Sequence, residues 1–441
     1  MGTRQHDNSC DCTKSELDLF AVPPTQTSIQ EGSWESFHPI ATLGDQSPIE
    51  FSVPDDGEQY IDLANVQLYL TAKIIKADGG TLAATDYPGP VNNWLHSLFE
   101  QVDVSLGDTV ISSPSNTYPY RAYLETLLSL SDETKKTQQT TSLWYKDYAG
   151  KFDGASCQDG GDRNQGLIKR GTFTAKSKTV EMVGRLHCDI FSQERFLINK
   201  VPLRLRLIRS RDAFSLMNAS DTLKCKVNIV SAVLMVRRVQ LSPSVFMAHQ
   251  KAIRNGPAKY PIKRVLCKYF SIPQGNTSTN LENLFQGQMP TRIIIGCVDS
   301  DAFNGSFTKS PFNFKHKNLS QVALRVAGLK DPIKPLTPVF PDQYLLSYLS
   351  LLTGTGKWGK NEGCHFNRDE YAKGYCLFAW DLTADLADGG DHFQLMRTTS
   401  VRLELKFKTA VTDPTNVIVY AEFENMIIID ADRNVTTNFT M

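Results

Sequence analysis

Hydrophobic and polar positions along this chain follow two periods, and the same succession of periods occurs twice. From Asn93, NWLHSLFEQVDVSLGDTV carries Val102, Val104 and Leu106 at every second position. After a turn-rich spacer, YPYRAYLETLLSL carries Tyr123, Leu124, Leu127 and Leu128 at helical spacing. From Asn313, NFKHKNLSQVALRVAG repeats the alternation with Val322, Leu324 and Val326. A Pro-rich spacer follows, and FPDQYLLSYLSLL repeats the helical spacing with Tyr344, Leu345, Tyr348 and Leu349. The shift is 220 from Asn93 and His96 to Asn313 and His316, and 221 from Tyr123 to Tyr344. Two periods recurring in one order point to the duplication of a whole domain.

The duplication extends in both directions. Upstream, PIEFSVPDDG aligns with CKYFSIPQG at a shift of 219, so Phe51–Pro54 is expected to be the counterpart of Phe270–Pro273. The strand YIDLANVQLYLTAKII aligns with TRIIIGCV, whose unbroken apolar run predicts burial on both faces. After each helix comes a polar loop. The first, residues 149–167, is long and is a candidate for tower or intersubunit contacts. Beyond it VEMVGRLHCDI aligns with KGYCLFAWDL, placing Asp189 on Asp381. Leu203, Leu205 and Leu207 alternate with arginines as Val401, Leu403, Leu405 and Phe407 alternate with Arg402, Glu404 and Lys406. KVNIVSAVLMVRRV and NVIVYAEFENMIII close the two copies.

Strands dominate without alternating with helices, which excludes a parallel βα architecture. The expected fold is all-β: two tandem eight-stranded antiparallel jelly rolls, each with a short helix. The expected divisions are an extended arm at 1–32, a first jelly roll at 33–241, a linker helix at 242–257 and a second jelly roll at 258–441. Pro23-Pro24 opposes regular structure in the arm. Ser242 as N-cap, Pro243 at the first helical position and Gly256-Pro257 as terminator frame the linker helix.

Charge changes this picture little. Of 441 residues, 47 are Lys or Arg and 47 are Asp or Glu, so the formal net charge is zero, unlike a dedicated nucleic-acid binder. No apolar run approaches the roughly 18 residues of a membrane helix. The first 20 residues lack the apolar centre of a signal peptide. Nine cysteines without framework spacing predict reduced thiols and intracellular synthesis.

Candidate chemistry is sparse. Gly354-Thr-Gly-Lys-Trp-Gly-Lys360 matches a phosphate loop only superficially, because Asn361 replaces the hydroxyl residue that holds magnesium. Cys10 and Cys12, with His6 nearby, lack a second half-site for a metal. His96 and His316 recur, but one residue per domain makes no metal site, and capping or packing is expected. Asp189 and Asp381 are expected to cap turns or pair with arginine. LENLFQG (281–287) is treated as native sequence without processing. No catalytic, cofactor-binding or metal residue is assigned, and no enzyme activity or cofactor is expected. Basic clusters at Lys169–Lys178, Arg204–Arg211 and Lys251–Arg264 read as solvated faces, or as an inner surface touching phosphates without sequence preference.

SELDLFAVPPTQTSI, NTYPYRAYLETLLS, LIRSRDAFSLM and DAFNGSFTKSPFNFKH resemble stretches of the major capsid proteins of Polinton/Maverick elements and adintovirus-like viruses. The resemblance covers roughly residues 15–435. It implies a double jelly-roll major capsid protein whose homotrimers form pseudo-hexameric capsomers. These would tile an icosahedral shell around double-stranded DNA, beside neighbouring capsomers and a single jelly-roll penton protein. It places the chain in the virion, assembled inside the host cell, in nucleus or cytoplasm. The competing expectation is a jelly-roll carbohydrate- or ligand-binding module, which would normally carry a signal peptide and paired cysteines.

Overall fold

The computed structural model describes residues 9–10, 12, 14–45, 47–158, 160–220, 222–328, 334–386 and 392–439. His6 and Asp11 therefore lie outside the described residues.

Among the described residues eight strands build the two main sheets of the first lobe, beside a short pairing of Gly89–Pro90 with Leu216–Met217. The eight are β1 (Ile29–Phe37), β2 (Ile49–Val53), β3 (Tyr60–Lys76), β4 (Phe99–Leu106), β5 (Thr109–Val110), β6 (Val180–Arg185), β7 (Leu203–Arg209) and β8 (Cys225–Leu241). They pair as two antiparallel sheets, β1-β8-β3-β6 and β2-β7-β4-β5. The second lobe follows with β9 (Ala258–Ile272), β10 (Ser278–Gln288), β11 (Arg292–Asp299), β12 (Leu319–Val326), β13 (Leu377–Asp381), β14 (Thr398–Phe407), β15 (Thr415–Ile429) and β16 (Val435–Thr437). Its sheets run β9-β15-β11-β13 and β10-β14-β12, with β16 added beside β15. The strand β5 has its counterpart in the lone pairing of Val322 with Leu336.

The lobes repeat down to individual neighbours. Val102, Val104 and Leu106 face Leu207, Leu205 and Leu203. Val322, Leu324 and Val326 face Leu405, Leu403 and Val401. All twelve are buried, because alternation puts each set on the inner face of its sheet.

One sequence pairing is overturned. Phe270–Ile272 ends β9, whose topological counterpart is β1, whereas Phe51 lies in β2, whose counterpart is β10. An apolar-Ser-apolar-Pro tetrapeptide fits the end of many strands and is too short to fix a register. The LENLFQG stretch lies within β10 and pairs with β14 across a bulge. β1 begins at Ile29, inside the stretch expected to be arm.

Among the described residues the helices of ten or more residues are α1 (Tyr118–Ser129), α2 (Gln165–Thr174), α3 (Pro243–Asn255) and α4 (Leu345–Gly354). α3 runs between the last strand of one lobe and the first of the next. Ser242 precedes it in extended geometry, but its hydroxyl makes no capping bond to the helix.

The loop expected to be a candidate for tower or intersubunit contacts also touches its own chain. Residues 149–158 lie on the second lobe of the same chain and lead into α2. Gly150 N–H donates to Lys373 O (2.7 Å). Asp153 accepts from Ser310 N–H (3.0 Å) and Asn313 Nδ2 (2.9 Å) and pairs with Lys315 (2.9 Å). Phe152, buried, meets the edge of Tyr375. Polar composition marked this segment as loop, and Gly150 and Asp153 tie that loop to the neighbouring lobe.

Candidate functional site: the seam between the lobes

α1 is the first lobe's main contribution to the seam. Eight of its twelve residues are apolar, and nine of the twelve are buried. An isolated surface helix would keep a polar face, so this one must be covered on several sides. Tyr123 stacks on Phe312 of the second lobe at 4.2 Å and 3°. Tyr120 stacks on Phe303 at 5.6 Å and meets the edges of Phe312 and Phe314. Thr117, just before the helix, donates to Cys267 O in β9 (2.7 Å).

Two charged residues one turn apart, Arg121 and Glu125, sit among these apolar ones and anchor a polar cluster. Arg121 bonds Glu125 (2.8 Å) and Asp189 (2.8 Å). Glu125 also meets His187 Nδ1 at 2.6 Å and accepts from Tyr420 of β15 (3.4 Å). Asp189 accepts from Val265 N–H in β9 (3.1 Å). Tyr420 donates to Glu422 (3.0 Å), which pairs with Arg292 of β11 (3.1 Å). Burial alone would raise the Glu125 carboxyl, but Arg121 and His187 bring it down to about 2. For Asp189, burial outweighs Arg121 and the value is raised.

A second cluster reaches the seam from α2. Arg170 and Asp147, each 1% exposed, form a 2.8 Å ion pair. Arg170 also donates to Pro90 O and Tyr145 O, and Asp147 accepts from Asn164. Tyr375 of the second lobe donates to Asp147 O at 2.7 Å.

The recurrent residues of the sequence are kept apart. His96 is buried, with Nδ1 3.0 Å from the Tyr118 hydroxyl and its ring edge-on to His187 at 4.6 Å. His316 stacks on Phe340. Burial lowers both imidazoles from their ordinary value. Asp381 caps a turn by accepting from Thr383 N–H (2.9 Å) and its hydroxyl (2.6 Å). Gly354–Lys360 ends α4 and forms the turn after it, with Trp358, Gly359 and Lys360 exposed. Among the described residues no group of three His, Cys, Asp or Glu is placed to hold a metal. No helix among them is long and apolar enough to cross a membrane.

Arg170, expected in the basic cluster Lys169–Lys178 to lie on a solvated face, is instead enclosed and paired with Asp147, a residue the sequence did not single out. Arg121 and Glu125 offered a signal: two charges at i, i+4 in a helix with no polar face.

The seam thus carries buried, paired charges and stacked rings, and it fixes one lobe against the other. No family model matches the chain. Protein F54H12.2 of Caenorhabditis elegans, uncharacterized, is 26% identical over 435 residues, covering 94% of this chain and 98% of that one. Among solved structures, a chain from the Sputnik virophage is similar with a TM-score of 0.65 and 11% identity, over 98% of this chain and 93% of that one. The mavirus major capsid protein is similar with a TM-score of 0.53 and 10% identity, over 100% and 97%. The fold is a double jelly roll. Both lobes and the seam between them fall within these matches, so the likeness covers the whole two-lobe arrangement.

Proposed function

We propose that this chain is a major capsid protein of the Polinton/Maverick kind, acting as a structural shell subunit and not as an enzyme. Its homotrimers form pseudo-hexameric capsomers that tile an icosahedral shell around double-stranded DNA, with a penton protein at the vertices. Residues 29–241 and 258–441 are the two lobes, 242–257 the connector, and the arm is the stretch ahead of Ile29. The observation that carries this reading is the end-to-end duplication: two lobes of one strand order, locked by a buried seam, give three chains six similar lobes. The mavirus likeness over the full length supports it. The test is electron microscopy with sedimentation of the purified chain. Trimers of hexagonal outline, or closed particles, are expected. A chain that stays monomeric at all concentrations, or binds glycans as a monomer, overturns the reading.

The inner surface includes α3 and the start of β9, where Lys251, Arg254 and Lys259 are all exposed. Exposed cations of this kind meet phosphates without reading sequence. Reversing these three charges lowers the DNA content of assembled particles and spares assembly. Unchanged DNA content removes the contact from the reading.

A further inference from the structure

We propose that α4 docks, head to tail, on the outer face of the β1-β8-β3-β6 sheet of a second copy of this chain. This rests on the capsomer reading and names the two surfaces that would build it.

The seam inside one chain supplies the template. There α1 of the first lobe lies on the outer face of the second lobe's β9-β15-β11-β13 sheet. On that face Val265 pairs across to Glu422, Cys267 to Tyr420 and Ile294 to Tyr420. All of these are buried. Inner-face residues Val417, Val419 and Ala421 are buried as well, so β15 is covered on both sides from Thr415 to Phe423.

The first lobe has the same sheet, with the same strand order, uncovered. Trp34 sits across from Arg237, Val233 across from Tyr69, and Tyr69 across from Val183. Cross-strand partners share a face, so these side chains form one outer surface. Trp34 is 54% exposed, and Val230, at the bulge in β8, is 50% exposed. Tyr69, Val183, Val233 and Met235 are half-buried. The inner residues Leu68, Leu70 and Leu234 are at 0%. In β8, then, burial alternates where in β15 it does not.

The counterpart of α1 is equally uncovered. Leu124 of α1 is 2% exposed, while its counterpart Leu345 in α4 is 53% exposed. At the next position Glu125 works in the seam, and Leu346 stands 72% exposed. Leu349 and Leu352 are half-buried, and Trp358 just beyond is 64% exposed. α4 itself is held firmly at its far end. Gly354 packs against the β13 backbone so closely that a Cβ there would stand 2.5 Å from the Ala379 carbonyl. The apolar face is therefore presented by a fixed helix.

Each chain thus has one covered helix-on-sheet contact and the two uncovered halves of another. Within its own chain α4 packs on β13 and not on the first-lobe sheet. A second copy supplies what each half lacks. The contact is heterologous, so copies follow one another head to tail, and the capsomer reading closes the ring at the third.

The test uses two full-length variants at exposed positions, Val230→Glu on the sheet and Leu346→Glu on α4, compared with the wild type by native mass spectrometry. The wild type is expected to be trimeric, and each variant alone monomeric with an unchanged circular dichroism spectrum. Mixed one to one, they are expected to give dimers and no trimers, since the Val230→Glu copy keeps its helix and the Leu346→Glu copy keeps its sheet. Variants that trimerise like the wild type overturn this inference and leave the capsomer reading standing. A mixture that gives no dimers overturns the head-to-tail arrangement. A wild type that stays monomeric overturns the capsomer reading itself.

Discussion

Arg170→Ala should be among the most damaging single substitutions in the chain, lowering stability by about 3–5 kcal/mol in chemical denaturation. The guanidinium is fully enclosed and uses all its nitrogens: Nε to Pro90 O (2.9 Å), Nη1 to Tyr145 O (2.7 Å) and Nη2 to Asp147 (2.8 Å). Truncation strands two carbonyls and leaves the Asp147 carboxylate without its counter-charge at 1% exposure. An unpaired buried charge is the costly outcome; an apolar pair of similar volume is not. The double variant Arg170→Met with Asp147→Leu should therefore be more stable than Arg170→Ala alone. The seam should feel the loss too, because Asp147 presents its carbonyl to Tyr375 of the other lobe. A deficit below about 1 kcal/mol for Arg170→Ala, the size expected of an exposed pair, would contradict the enclosed geometry.

The difference between what was legible in the sequence and what was not follows the range of the interactions. β4 and β12, with β7 and β14, could be read because alternation is written into neighbouring residues and each set buries one face. The all-apolar TRIIIGCV correctly marked a strand covered twice, β11. Its cover, α1, could not be assigned to it, because the helix comes from some 170 residues earlier. For the same reason Tyr123 on Phe312 and Thr117 on Cys267 leave no local trace. The Phe51 and Phe270 pairing failed from the opposite cause: it relied on four local residues where only strand order could decide. α4 shows a third case. Its sequence looks like that of α1, and only coordinates reveal that one helix is covered and the other bare.

Arg121→Leu should be comparably destabilising near neutral pH, by about 3–5 kcal/mol, with a deficit that shrinks as the pH falls. In the wild type the Glu125 carboxyl is held at about 2, below its ordinary 4.5. A depressed carboxylate contributes stability that is fully present above its unfolded value and is lost as the pH drops from about 4.5 toward 2. A shift of this size corresponds to about 3 kcal/mol. Asp189 works in the opposite sense. Its carboxyl is raised by burial, so its ionised form costs stability at neutral pH, and Arg121 limits that cost. Leucine at 121 removes the cation that both carboxylates share and leaves Asp189 beside Val265 and Cys267 without it. Near pH 3 both carboxyls of the variant take up protons and the repulsion disappears, while the wild type is losing what Glu125 contributed, so the two unfolding midpoints converge. Denaturation of both proteins from pH 7 to pH 3 measures this directly. Arg206→Leu, which disrupts an exposed pair with Glu50, serves as the control. A constant gap between Arg121→Leu and the wild type across the range would mean that Arg121 acts by packing alone, and that the seam is held by its rings and not by its charges.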